Sequence, residues 1–220
     1  VIALNGAPIA RLPGPAAAAD ALFARVSSDA VGLMPDRALL RAALGADCGR
    51  RFLLLGKPGA GLTALSVRLL YQGASIEGDA FVAIGEHDAI ALPRRFVLRF
   101  GAGELLPEIA DLLERLPARP DGAGATIWAF DPADAGFDWT LRQGPVDMCV
   151  LIEPNHGGRS MLSALPHYEM ARQIISRCSA PPAGGRAWLR SAVALADASA
   201  CFRLQLGQLD DAVELLRGAR

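Results

Sequence analysis

Residues 51–71 read RFLLLGKPGAGLTALSVRLLY, and the reading of this stretch decides the fold. Arg51 to Leu55 is a short apolar run of strand length. Leu62 to Tyr71 has helical composition, with apolar residues at 65, 67, 69 and 70, and Gly73 supplies a stop signal. Between them lies the octet Gly56-Lys57-Pro58-Gly59-Ala60-Gly61-Leu62-Thr63. Glycines let a backbone turn back so that successive N–H groups point inward, and the helix behind adds the positive end of its dipole. A strand, a glycine-rich loop and a helix in this order form the context in which a phosphate loop works. The pattern for such a loop is G-x-x-x-x-G-K-[ST]. Gly56, Gly61 and Thr63 fit it, whereas Leu62 stands at the lysine position. Lys57, the only lysine in the chain, falls at the second position of the same octet. Folded back, it would supply the missing charge; as an ordinary turn residue it would be solvated. Thr63 is the candidate Mg²⁺ ligand of an active loop.

Working outward, the 220 residues are read as one domain, with 1–37 as an irregular and helical N-terminal extension. Apolar residues at 52% and charged residues at 20% exclude a disordered chain. A formal charge of −1 gives no electrostatic case for nucleic acid or an anionic membrane as partner. No apolar run reaches the roughly 20 residues of a membrane span. The opening VIALNGAPIA lacks the basic-then-apolar order of a signal peptide, so a cytoplasmic protein is expected. Cysteines 48, 149, 178 and 201 form no C-x-x-C pair and are expected to be reduced, mostly buried thiols.

The rest of the chain alternates strands and helices. Ala16–Val26 reads as a helix with Leu22, Phe23 and Val26 on one face. Ala38–Leu44 and Arg51–Leu55 read as a hairpin or adjacent strands around 45–49. Strands are expected at Ala74–Glu77, Phe81–Ile84, Ala89–Leu92 and Phe96–Phe100. Glu104–Leu116 reads as an amphipathic helix with Leu105, Leu106, Ile109, Leu112, Leu113 and Leu116 at helical spacing. Strands at Thr126–Phe130 and Met148–Ile152 flank an acidic loop anchored by Trp139. Leu165–Arg177 and Ala187–Ala198 read as helices, Cys201–Leu206 as a strand, and Leu209–Leu216 as a closing helix. Strand-loop-helix-strand order argues an α/β fold.

With these segments in place, the chain resembles the HPr kinase/phosphorylase-like proteins from about Ala38 to Leu216. Gly73-Ala-Ser-Ile-Glu-Gly-Asp79-Ala-Phe-Val-Ala-Ile84 follows that family's frame after the loop helix, with Asp79 matching the first of two acids. Ala80 replaces the second acid, and Gly78 the serine before them. Leu92-Pro-Arg-Arg95-Phe-Val-Leu-Arg99 is similar to the family's next strand, and 200–216 to its closing strand and helix. The resemblance implies a mixed sheet with flanking helices of the HPr kinase/PEP carboxykinase type. It also implies ATP and Mg²⁺ as ligands, transfer to a Ser or Thr hydroxyl of a protein or peptide, and assembly of like subunits. Asp79 is then the candidate catalytic carboxylate and, with Thr63, the candidate Mg²⁺ ligand.

Other residues carry weaker versions of the same chemistry. Glu77 offers a second carboxylate if Gly78 keeps regular strand geometry. Glu153 ends an apolar strand in Walker-B fashion, and His156 and Arg159 follow in a polar turn; either could touch phosphate or substrate. Among Arg94, Arg95 and Arg99, one could replace the charge lost at Leu62, with Arg95 and Arg99 sharing a strand face. The competing reading is a degenerate member of the same family. Having lost the loop lysine and one acid, it would bind a nucleotide, an anion or a protein partner without transfer. Three departures at one site weigh on rate, since one preorganised charge contact is worth on the order of 10²–10³.

Overall fold

A computed structural model describes residues 37–121, 124–179 and 187–219. Within the first 36 residues it describes 2–4, 7–10, 14, 18, 21–23, 25–26, 29–30 and 33. In chain order, β1 (Ile2–Leu4) and β2 (Ala7–Ala10) form an antiparallel pair of their own. β3 (Ala38–Leu40), β4 (Ala43–Asp47), β5 (Arg50–Gly56), α1 (Leu62–Tyr71) and β6 (Ser75–Gly78) follow. Next come β7 (Phe81–Ile84), β8 (Ala89–Leu92) and β9 (Phe96–Arg99). The chain is a mixed α/β protein, and no helix among the described residues is long and apolar enough to cross a membrane. The N-terminal helix expected at 16–26 is described only in part. Residues 18, 21–23 and 25–26 are helical, and the remainder lies outside the described residues.

The helix expected over 104–116 is broken. Its place is taken by α2 (Ala102–Leu105), a 3₁₀ turn at Pro107–Ile109, and α3 (Ala110–Arg115). Pro107 has no N–H to donate and disfavours helical backbone at the residue before it; Leu106 accordingly sits at φ −132°, ψ 71°. The break turns Leu105 outward, 60% exposed, while Leu106, Ile109 and Leu112 stay in the core. β10 (Arg119–Pro120), β11 (Thr126–Phe130), β12 (Met148–Pro154) and β13 (Met161–Ala164) follow. Then come α4 (His167–Ile175), β14 (Cys178–Ser179), α5 (Ala187–Ala198), β15 (Ala200–Leu206) and α6 (Leu209–Gly218).

The central sheet runs β13-β15-β12-β5-β4-β6. β5, β12 and β15 are parallel, and β4 and β13 run against them. Covered on both faces, β5 and β12 carry continuous apolar runs, as buried parallel strands do. One face packs Phe52, Leu54, Val150, Ile152 and Leu204 against α1 and α6; the other packs Leu53, Leu55, Cys149, Leu151 and Cys201 against α4 and α5. The hairpin β4–β5 turns at Cys48 and Gly49, both at positive φ, so strand structure runs through Gly45 to Asp47.

A second sheet, β14-β3-β7-β8, is continuous with the first in register. Leu40 faces Val82 on β7, and Leu44 faces Gly78 on β6; three residues lie along each path between the two pairs. Residues 41–43 and 79–81 therefore stand opposite one another where the ladder opens. Asp79 and Ala80 form a bend at that opening, next to the glycine-rich loop.

Candidate functional site

The octet leaves β5 at Gly56 and turns at once. The Ala60 N–H donates to the Lys57 carbonyl at 3.0 Å, closing a turn centred on Pro58 and Gly59. Gly59 has φ +84°, the value the third residue of a type II turn requires. The Ala60 side chain is buried, so closely seated that a Cβ at Gly56 would lie 3.2 Å from it. Lys57, Pro58 and Gly59 are exposed.

Gly61 is the N-cap of α1, at φ +90° and without a side chain to cap the helix. A Cβ there would meet Leu206 Cδ2 at 2.7 Å, so only glycine lets the loop press against the end of β15. The first helical turn holds no acidic residue, and the N–H groups of Leu62, Thr63 and Ala64 receive no side-chain cap. Such a terminus favours an anion through both its orphan donors and its dipole. Leu62, at the lysine position, packs half-buried against the core. An apolar residue fits that position here because the side chain is drawn inward.

β5 and β6 run parallel, each pairing antiparallel with β4. Both chain ends consequently reach the same edge of the sheet, and Asp79 meets Thr63: the hydroxyl hydrogen-bonds the carboxylate. Burial pushes the Asp79 carboxyl up to about 6, although the Thr63 bond and the charges of Arg94 and Arg41 pull it down. Desolvation is thus the larger effect, and the acid titrates close to neutrality. Two hard oxygen groups side by side suit Mg²⁺, which keeps waters and substrate oxygens in its remaining positions. Among the described residues no group of three His, Cys, Asp or Glu could hold a metal by itself.

The arginine nearest the acid is Arg94, not Arg95 or Arg99. Phe81 pairs with Leu92 in the β7–β8 hairpin, and continuing that register by two residues sets 79 opposite 94. Gly78 supports the closeness: a Cβ there would lie 3.1 Å from Ala91 Cβ and 3.7 Å from Pro93 Cα. Arg95 is exposed and precedes β9 rather than sharing its face with Arg99. Arg99 is exposed on the separate β10-β11-β9 sheet, 3.8 Å from Asp121. Arg41, which lay inside the strand run expected at 38–44 and instead falls between β3 and β4, is the second cation acting on Asp79.

Glu77 does not join Asp79. It is fully buried and held by Arg51 through two bonds of 2.8 and 2.6 Å, because the pairing of β6 with β4 shifts register beside it. Glu153 lies at the correct height, since Ile152 pairs with Gly56. It follows Cys149 and Leu151 onto the sheet face opposite α1, however, and meets Arg203 at 3.5 Å. Arg203 also holds Glu169 at 2.6 Å, so Glu153 belongs to an ion-pair cluster. His156 is exposed in the turn after β12, and Arg159 stands 3.7 Å from Asp211 of α6. The residues brought together are therefore the loop, Thr63, Asp79, Arg94 and Arg41. Compared with known proteins, the chain matches no family model and no curated sequence.

Proposed function

We propose that the chain is an HPr-kinase-like P-loop protein that binds ATP with Mg²⁺ at residues 56–63 and transfers phosphate to a Ser or Thr hydroxyl of a protein or peptide. The observation that carries this reading is the contact between the Thr63 hydroxyl and the Asp79 carboxyl at the mouth of an uncapped helix. Backbone N–H groups of Leu62, Thr63 and Ala64 would receive phosphate oxygens. Thr63 and Asp79 would hold Mg²⁺, which spreads the charge of the transferring group. A carboxyl titrating near 6 is poised to accept the proton of an incoming hydroxyl. Arg94 and Arg41 flank that carboxyl and stand where cationic compensation for Leu62 is needed. This arrangement favours an arginine over the exposed Lys57 for the compensating role.

A second reading, a non-catalytic member that only binds nucleotide or anion, is favoured by Leu62 packing inward and by Ala80 in place of a second acid. One experiment serves both. Thermal unfolding with millimolar ATP–Mg²⁺, ADP and inorganic phosphate should give a rise in Tm with ATP–Mg²⁺, lost in Thr63→Val. Ligand at 100 times Kd stabilises by about 2.7 kcal/mol, on the order of 5–10 °C for a chain of this size. No shift with any of the three overturns both nucleotide readings. A shift without phosphate transfer to Ser- or Thr-bearing peptides selects the second.

A further inference from the structure

The N-terminal segment reaches the candidate site. Residues 21–23 are helical, and the Phe23 ring stacks on Phe81 with centroids 6.0 Å apart and planes at 28°. Phe81 begins β7, two residues beyond Asp79. On Phe23 rests the Arg94 guanidinium, its Cζ 5.2 Å from the ring centroid. A cation over an aromatic face is attracted by the ring quadrupole and is restricted in where it can go. Arg94 is therefore set between an aromatic surface contributed by the N-terminal segment and the acid whose register position it shares across the β7–β8 hairpin. The neighbours Leu22 and Val26 are exposed, so Phe23 is the member of that apolar face which turns onto the body of the protein.

We infer that Phe23 is a positioning residue that holds Arg94 toward the mouth of the loop, so that the N-terminal segment completes the binding site for the phosphate groups of a nucleotide. This rests on the nucleotide reading above. It goes beyond that reading by making a segment outside the resembling region part of the site. A long arginine side chain loses rotamer freedom on binding an anion; a ring that already restricts it lowers that cost.

The test compares affinity across variants that keep or remove the ring face. Calorimetric titration with ATP–Mg²⁺ and with pyrophosphate would compare wild type, Phe23→Leu, Phe23→Trp, Arg94→Ala and the Phe23→Leu/Arg94→Ala double variant. Leucine keeps apolar bulk and removes the ring face, whereas tryptophan keeps the face. Phe23→Leu should weaken binding by about 3–10-fold, the range expected of a cation–π contact, and Phe23→Trp should restore it. The double variant should bind no more weakly than Arg94→Ala alone.

Wild-type binding with unchanged affinity in Phe23→Leu overturns the inference and leaves the nucleotide reading standing. So does a double variant whose losses simply add. Failure of the wild type to bind either ligand overturns both.

Discussion

Two acids two residues apart, Glu77 within β6 and Asp79 just past its end, have opposite surroundings. Glu77 is wholly enclosed and wholly matched. Arg51 grips both its carboxylate oxygens and spends its other donors on the carbonyls of Ala89, Arg142 and Pro145. Asp79 is half-buried, bonded by a threonine hydroxyl, and Arg94 and Arg41 act on it by charge. The first arrangement ties the 142–145 stretch to the sheet. The second leaves an acid that is costly to ionise beside a helix that lacks a cap. Satisfied charge builds the scaffold here, and under-satisfied charge marks the place where chemistry can happen.

The largest expected effect comes from breaking the matched pair. Glu77→Gln should destabilise the protein by about 3–5 kcal/mol, since it strands a buried guanidinium. Urea denaturation would measure it, and a loss below ~1 kcal/mol would mean that the pair is not the anchor its geometry implies. Asp79→Asn should act in the other direction. The folded-state value near 6 lies above the ordinary 3.8, so the folded protein holds this proton more tightly than the unfolded chain. Stability is therefore lost as pH rises from about 4 to about 6 and stays lower above that window. Removing the charge should stabilise the protein by roughly 2–3 kcal/mol at pH 7.5 and by almost nothing at pH 4. ATP–Mg²⁺ binding should be lost at the same time. A variant less stable than wild type at pH 7.5 would overturn this account of Asp79.

The smallest effects sharpen the comparison within the loop itself. Gly59 and Gly61 share positive φ, but a Cβ at Gly59 meets nothing within 4 Å, whereas one at Gly61 meets Leu206 at 2.7 Å. Gly59→Ala should cost about 1 kcal/mol from backbone strain alone. Gly61→Ala should cost more, roughly 2 kcal/mol, because the methyl lacks room. Equal losses in chemical denaturation would show that the loop stands clear of β15.

Much of this was legible from residue order. The bounds of α1 follow from the apolar spacing after Gly61 and from Gly73, whose φ of +93° ends the helix. Apolar runs at 52–55 and 148–152 read as strands, and both are found. The break at Pro107 was also written in the chain, but a leucine pattern at helical spacing outweighed one residue. β13 escaped notice because an edge strand with exposed side chains at Met161, Ser163 and Ala164 has no apolar alternation to read. In the site, Thr63 and Asp79 were placed by topology, since β5 and β6, both antiparallel to the β4 between them, end on one edge. Arg94, Arg41 and Phe23 were not. Their approach depends on a hairpin register carried past its last hydrogen bond and on a contact from a distant segment. Neither leaves a periodic signal.

The matched registers on either side of the opening at 79–81 have one more consequence. Since Leu40 and Leu44 each keep a fixed partner, residues 41–43 act as a spacer of set length, shared by two sheets at once. Adding or deleting a residue there would turn every side chain of one flanking strand to its wrong face, because strand side chains alternate. Homologous chains can therefore be expected to vary at exposed Arg41, but to keep small residues at buried Ala42 and Ala43 and to keep the number of residues.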